Sequence, residues 1–268
     1  MPELPEVEST VRSLQRDVIG RRILHVEATW PRMIEPYSPS ELSLRLVSKR
    51  IAAVWRRAKY IVVEVQGQNE REILLLHLRM SGRLLINRTP SNHDRITVTL
   101  SGGKTMRFVD PRKFGRFTLL DRGEFNERME KLGPEPLEDT FRWQDLYQIL
   151  TFRARTLKPL LLDQSIIAGL GNIYVDESLW SSALHPLRNS KTLTPEEVKR
   201  LHQNIRRILK RAISLNGTDF GDGVVHNGKF VPQVYGRAGE ECRRCGSELE
   251  RLVVATRGTV VCNNCQRV

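Results

Sequence analysis

Cysteine is nearly absent from this chain: the first 241 residues contain none, and all four lie between positions 242 and 268. A disulfide framework spanning the molecule is therefore excluded. Long apolar runs are missing too. The most apolar stretches, Ile73–Leu78 and Pro159–Gly171, are broken by polar residues or glycine and fall short of the ~18–20 residues a membrane span needs. With 18 glycines and 13 prolines in 268 residues, and 40% hydrophobic residues, the chain is neither collagen-like nor globally disordered. It holds no internal repeat and no low-complexity tract. The opening Met-Pro-Glu-Leu-Pro-Glu lacks the basic and apolar regions of a secretory signal, so the expectation is a soluble cytoplasmic protein with no membrane partner. Acids are outnumbered: 31 Asp and Glu against 43 Lys and Arg leave a formal charge of +12. The resulting pI near 10.0 predicts attraction to polyanions through release of their condensed counterions.

What is present falls into blocks. Residues 3–19 read as an opening helix, with Leu4, Val7, Val11, Leu14 and Val18 on one face and Gly20 as its stop. From Arg22 to Leu120 the pattern becomes short β-type runs: 22–27, 50–56, 60–66, 73–79, 83–87, 96–100, 105–110 and 117–120. Such runs, separated by turn residues, suggest a β-sandwich or barrel. Leu132-Gly-Pro-Glu-Pro-Leu137 reads as a linker, and helical segments follow near 143–152, 161–167, 176–184 and 195–215. The last helix opens with a capping box, Thr194 to Glu197, and buries Val198, Leu201, Ile205, Ile208, Leu209 and Ala212. Lys199, Arg206 and Lys210 fall on another stripe facing solvent, which suits either a polyanion or plain solvation. The expected organisation is 1–131, a linker at 132–137, a helical region at 138–233, and a cysteine module at 234–268.

The cysteines occur as Cys242-Arg-Arg-Cys245 and Cys262-Asn-Asn-Cys265, with 16 residues between the pairs. That spacing matches a four-thiolate Zn2+ site with a hairpin between its knuckles and Arg257 near the tip. Four protein ligands close the coordination sphere, so the metal is structural.

Pro2-Glu3 suits two readings. Proline in the first turn is an ordinary helix start. If Met1 is removed, however, Pro2 carries a free secondary amine, and a terminal amine titrates near pH 8 rather than lysine's ~10.4. Its adduct with a sugar aldehyde carbon is an iminium with no N–H to lose, a persistent electron sink. Glu3 beside it is a candidate proton donor.

Met1-Pro-Glu-Leu-Pro-Glu-Val-Glu8, Ala58-Lys-Tyr60, His77-Leu-Arg-Met-Ser-Gly82, Asp110-Pro-Arg-Lys-Phe-Gly115, Leu132-Gly-Pro-Glu-Pro-Leu137, Gly171-Asn-Ile-Tyr174, Gln233-Val-Tyr-Gly-Arg237 and the cysteine pairs occur in this order. The ordered set resembles the bacterial formamidopyrimidine-DNA glycosylases of the helix–two-turn–helix superfamily, over essentially the whole chain. The resemblance implies an α+β fold: an N-terminal β-sandwich with an opening helix, then a helical domain with the helix–two-turn–helix and a zinc β-hairpin, with DNA in the cleft between. It implies a monomeric bifunctional glycosylase and AP lyase of base-excision repair, acting on double-stranded DNA with oxidised purines or abasic sites.

By matching motif, Pro2 is the Schiff-base nucleophile, Glu3 the proton donor, Lys59 an aid to β-elimination, and Arg257 a phosphate ligand aiding δ-elimination. Asn172, with Lys158 and Tyr174 nearby, is placed at the helix–two-turn–helix phosphate site; His77, His93, Arg112 and Arg155 are further DNA contacts. An enzyme that turns its base out of the stack needs something to fill the hole. Met80, Arg112 and Phe114 match such a wedge, although by themselves they also suit core residues and a surface ion pair. The segment 217–231 is shorter than the family's loop over the everted base. Ring-opened purines are therefore the primary expected lesion and 8-oxoguanine the second. The competing expectations are an endonuclease VIII-like enzyme for oxidised pyrimidines and a non-catalytic damaged-DNA-binding protein.

Overall fold

The computed structural model describes residues 1–219 and 228–267, which form two compact units, Met1–Lys131 and Leu132–Thr218 with Lys229 onward. Residues 220–227, on which the expectation about a shortened closing loop falls, lie outside the described residues.

The first unit opens with α1 (Leu4–Val18). Pro5 stands in its first turn, and the Glu6 carboxylate accepts the Glu3 N–H at 2.8 Å, so a proton donor left over at the helix end is satisfied. Val7, Val11, Leu14 and Val18 form one buried stripe. Eight strands follow: β1 (Ile23–Ala28), β2 (Arg50–Arg57), β3 (Tyr60–Gln66), β4 (Arg71–His77), β5 (Arg83–Ile86), β6 (Asp94–Leu100), β7 (Lys104–Val109) and β8 (Arg116–Leu120). They pair antiparallel in two four-stranded sheets, β1-β6-β7-β5 and β2-β3-β4-β8. Between the sheets lie Ile61, Val63, Val65, Leu74, Leu76, Phe117 and Leu119 from one, and Val26, Ile96, Val98, Met106 and Phe108 from the other.

The strand Tyr-Ile-Val-Val-Glu-Val shows no polar alternation because both its faces are covered. Val62, Leu75 and Leu120 point away from the sandwich core and pack under Phe125 and Met129 of α3 (Arg122–Glu130). Arg122 reinforces this through Glu64 at 2.8 Å. The short helix α2 (Pro39–Leu46), capped by Ser38 and Glu41, lies between β1 and β2 and gives Leu42 and Leu46 to the core.

In the second unit, residues 132–137 are not a free linker. Gly133 N–H donates to the Gln164 carbonyl at 2.8 Å and Ala168 N–H to that of Pro134 at 3.0 Å. A Cβ on Gly133 would stand 2.7 Å from the Ile166 backbone, so only glycine fits this close approach. The helices are α4 (Trp143–Arg153), α5 (Leu157–Leu162), α6 (Asn172–Ser181) and α7 (Pro195–Ser214). Two expected segments shift toward the N-terminus. Helix α5 stops at Asp163, and Ile166 and Ile167 are buried in the turn beyond it. Helix α6 is buried continuously from Ile173 to Trp180, so no 3.6-residue period marks its start.

Helix α7 has its expected cap and apolar face. Its basic stripe needs correction: Arg206 is half-buried and donates to the carbonyls of Pro136 (3.1 Å) and Glu138 (2.7 Å) and to Asp139 (2.6 Å). Lys199 and Lys210 do face solvent.

The hairpin β9 (Glu250–Val254) and β10 (Arg257–Val261) joins the cysteine knuckles. Val260, Cys242, Leu249 and Cys262 pack on Trp180 of α6, Arg244 stacks 4.2 Å above the Trp180 ring, and Gln266 donates to the Leu184 carbonyl. No helix among the described residues is long and apolar enough to cross a membrane.

Candidate functional site

Pro2 and Glu3 are buried at the start of α1, Glu3 being 2% exposed. Lys59 is buried in the two-residue turn between β2 and β3, where Ala58 adopts a left-handed φ of 52°. A residue with a Cβ stays in that conformation only when its surroundings hold it there. Arg56 supplies the hold: its guanidinium reaches Glu8 of α1 at 3.0 Å and the Ala58 carbonyl at 3.0 Å. One side chain thus ties the helix bearing Pro2 and Glu3 to the turn bearing Lys59. Nothing in the spacing of the sequence singled out Arg56.

The two motif loops, 77–82 and 110–115, are organised by Asp110, which is fully buried. Its carboxylate accepts the Ser81 hydroxyl and the backbone N–H groups of Arg112 (3.1 Å) and Gly115 (2.7 Å). Its own N–H donates to the His93 carbonyl at 2.9 Å. The glycine closing each loop is demanded by sterics: a Cβ on Gly82 would sit 2.4 Å from the Leu78 carbonyl oxygen, and one on Gly115 2.6 Å from the Phe108 ring. Met80 and Phe114 are 43% and 50% exposed, so neither is core. The Arg112 guanidinium lies 5.1 Å over the Phe114 ring, a stacked cation rather than half of an ion pair. Met80, His93, Arg112 and Phe114 are thereby gathered at one end of the sandwich. Asp110 opens the motif Asp110-Pro-Arg-Lys-Phe-Gly115, yet its role as organiser is not legible in that order of residues.

His77 ends β4 opposite Tyr60, the two rings meeting edge-on at 4.9 Å. Burial, with the positive charges of Arg79 and Lys59, pushes its pKa down to about 3. Its Nδ1 accepts the Arg79 N–H at 2.9 Å, which leaves the proton of the neutral ring on Nε2, free to donate. A cavity of about 270 Å³ opens beside it, lined by His77, Tyr60, Arg79, Arg116 and Arg128, with Glu35 as the one carboxylate. Three guanidiniums against one acid make this face suited to anions.

In the second unit, Asn172 begins α6 directly after Gly171, so its amide side chain stands at the positive end of the helix dipole, where it donates to the Gly258 carbonyl at 2.8 Å. Gln164, another residue the spacing did not flag, builds the preceding turn. Its amide N–H donates to the carbonyls of Leu162 and Leu170, and its oxygen accepts from Gly169. Arg155 and Arg257 are exposed. Lys158 and Tyr174 are not where a DNA contact would be: both are 0% exposed. The Lys158 ammonium is held by Asp176 at 2.6 Å and Thr259 at 2.7 Å, and the Tyr174 hydroxyl meets Thr218 at 3.3 Å. A lysine and a tyrosine in a DNA-binding motif read as surface groups until the packing is seen. Burial pushes Asp176 up to about 6, against the opposing pull of Lys158.

The four cysteine sulfurs lie within 4.8 Å of one another, with Cys245 and Cys262 at 3.5 Å and Cys242 and Cys265 at 4.0 Å. Tetrahedral Zn–S bonds of ~2.3 Å require sulfurs ~3.8 Å apart, so the site fits zinc, whereas a disulfide needs ~2.05 Å. Hydrogen bonds from Asn264 and Ser247 hold the Cys245 thiol down to about 5, while burial and the neighbouring sulfurs push Cys265 up to about 12. A divalent cation resolves that conflict by stabilising all four thiolates.

Comparison with known proteins agrees with this arrangement. The formamidopyrimidine-DNA glycosylase N-terminal domain matches residues 1–117, the formamidopyrimidine-DNA glycosylase H2TH domain residues 132–222, and the zinc finger found in FPG and IleRS residues 239–268. The chain is 41% identical over 275 residues to the formamidopyrimidine-DNA glycosylase of Herpetosiphon aurantiacus, covering 99% of this chain and 100% of that one. It is 37% identical over 276 residues to the Lactococcus lactis protein of the same name, covering 100% of both. Among solved structures it is similar to wild-type Lactococcus lactis Fpg bound to DNA containing N7-benzyl-Fapy-dG, with a TM-score of 0.92 and 36% identity over 100% of both chains. It is also similar to Lactococcus lactis Fpg with abasic-site DNA, with a TM-score of 0.91 and 35% identity over 99% of this chain and 100% of that one.

Three outcomes are expected. Asp110→Ala strands a hydroxyl and two N–H groups, so stability should fall by about 3 kcal/mol by urea titration. Amide exchange at Arg112 and Gly115 should accelerate while β3 stays protected; unchanged exchange would remove Asp110 as organiser. Because the folded pKa of His77 is depressed from 6.5 to about 3, its contribution to stability is present above pH 6.5 and is lost as pH falls through that window. Nitrogen-detected NMR should show the neutral ring at pH 5, and an imidazolium there would contradict the burial argument. Chelation of zinc should melt the β9–β10 hairpin while leaving the circular dichroism of the β-sandwich in place. Collapse of the sandwich signal would refute the independence of the two units.

Proposed function

The chain belongs to the formamidopyrimidine-DNA glycosylase family, and from that membership we propose that it excises oxidised purines from double-stranded DNA and cuts the strand at the site it creates. Formamidopyrimidines are the primary lesion and 8-oxoguanine the second. The enzyme acts as a single chain in the bacterial cytoplasm, at the nucleoid. One observation carries the reading: Asp110 holds two loops so that exposed Met80, Arg112 and Phe114 stand together, on the same sandwich whose opening helix begins Pro2-Glu3. Exposed apolar side chains flanking a cation suit a stack vacated by an everted base, and stability alone gives no reason to leave them in water.

In this reading removal of Met1 frees the Pro2 amine. Its lone pair forms a bond to C1′ while the electrons of the C1′–base bond leave with the base, and the proton that the nitrogen then sheds neutralises the departing base. The regained nitrogen pair forms the C1′=N bond as the C1′–O4′ pair moves onto O4′, which takes a proton from Glu3, and a C1′ iminium remains. Loss of a C2′ proton feeds electrons toward that iminium and expels the 3′ phosphate. A second elimination expels the 5′ phosphate, and water hydrolyses the iminium to return the amine. Lys59, whose turn is held through Arg56, is the cation that assists the first elimination in this reading. Arg257 binds the phosphate that leaves in the second. His77, a neutral N–H donor among arginines, together with His93 and Arg155, contacts the sugar–phosphate backbone, and Asn172 offers its amide beside the helix start. Lys158 and Tyr174 support that surface from beneath. Cys242, Cys245, Cys262 and Cys265 would hold zinc, which would supply a structural crosslink that keeps the hairpin of Arg257 folded.

Borohydride added to protein on an abasic-site duplex should trap a covalent adduct on a peptide that starts at Pro2. An adduct on any other residue would refute the nucleophile. Glu3→Gln should lower excision of formamidopyrimidine by about 100-fold or more. Excision at the parental rate would remove Glu3 as the acid. A panel of formamidopyrimidine, 8-oxoguanine and oxidised-pyrimidine duplexes should be cut in that order, and preference for the pyrimidine would overturn the lesion assignment.

A further inference from the structure

The hairpin that carries Arg257 turns at Ala255 and Thr256, both in the left-handed region with φ of 47° and 65°. A two-residue turn of this hand matches the twist of the strands but favours glycine or asparagine, which this turn lacks. Arg257 itself is exposed and has no ion pair among the described residues. Neither the turn nor the side chain therefore fixes where the guanidinium points.

What fixes it comes from the helices. Lys158 of α5 donates to the Thr259 hydroxyl at 2.7 Å and to the Gly258 carbonyl at 3.4 Å. The Thr259 hydroxyl in turn donates to the Arg257 carbonyl at 3.1 Å. Asp176 of α6 pairs with Lys158 at 2.6 Å and accepts the Val260 N–H at 3.3 Å. Asn172 adds a bond from its amide to the Gly258 carbonyl at 2.8 Å. Lys158, Asp176 and Thr259 are all at most 2% exposed. A buried ion pair is poor evidence of stability, because desolvation cancels much of its attraction; what it provides is one geometry in which both charges are satisfied. Here that geometry includes the first four residues of β10.

We propose that Lys158 and Asp176 are positioning residues for Arg257, acting through the Thr259 hydroxyl to aim its guanidinium at the phosphate expelled in the second elimination. This rests on the reading of Arg257 given above. Removing Asp176 alone would leave a buried ammonium without its counter-charge and endanger the fold, so the test acts on Thr259. Thr259→Val keeps the shape and deletes the relay, while Thr259→Ser keeps the hydroxyl.

Each full-length, zinc-loaded variant is given an abasic-site duplex, and the ratio of δ- to β-elimination products is read from the strand ends. Borohydride trapping and zinc content are measured in parallel. Thr259→Val should retain its zinc and its trapping, yet show a δ-to-β ratio about ten-fold lower, inside the ~100-fold that a displacement of ~1 Å costs. Thr259→Ser should restore the parental ratio. A Thr259→Val protein with full zinc and a parental ratio, beside an Arg257→Ala protein with a lowered one, would overturn the positioning role alone. A parental ratio in Arg257→Ala would instead overturn the reading of Arg257, and the inference with it.

Discussion

A carboxylate taken wholly out of water is costly unless both of its oxygens find donors. Asp110 meets that condition by drawing in Ser81 from one loop and Arg112 and Gly115 from another. The rest of the candidate surface follows. Because the two loops converge on one charge, Gly82 and Gly115 must be glycine, and Met80 and Phe114 are left projecting into solvent. The apolar side chains are exposed as a consequence of the polar one being buried.

The same logic governs the second unit. The Lys158–Asp176 pair and Glu177, which accepts three backbone N–H groups from Gln233, Val234 and Tyr235, are buried charges whose partners are other segments' backbones. Burial raises the pKa of Glu177, and the three N–H groups oppose that rise. These groups hold irregular chain in place where no helix or strand would. They also change how the net charge is read. Arg56, Arg188 and Arg206 pair with Glu8, Glu197 and Asp139, and Arg200 holds the Ser182 carbonyl, so these arginines serve as scaffolding. Arg79, Arg116 and Arg128, by contrast, line the cavity beside His77, and Arg155 and Arg257 are exposed.

Local signals carried the strands well: the runs at 60–66 and 83–87 lie within a residue or so of β3 and β5, because turn residues bracket them and apolar residues, β-branched in β3, fill them. They failed for α2 and α3, whose few apolar residues give no strong period, and for the start of α6, which is buried on every side. The cysteine spacing was legible for a different reason, since four sulfurs and one metal admit few arrangements. Lys158 and Tyr174 show the limit of motif reading. A motif reports which residue types recur together and is silent on which of them face outward.

The order of elements, the zinc ligands, the sandwich and the family were therefore determined by the linear chain, each resting on periodicity, spacing or an ordered set of motifs within short reach along the backbone. Tertiary structure alone decided which charges are buried and what they hold: Arg56 bridging a helix to a turn, Asp110 joining two loops, Lys158 reaching 101 residues along the chain to Thr259. Those choices depend on desolvation, which is a property of the packed neighbourhood, and no neighbourhood of that kind is written in sequence order.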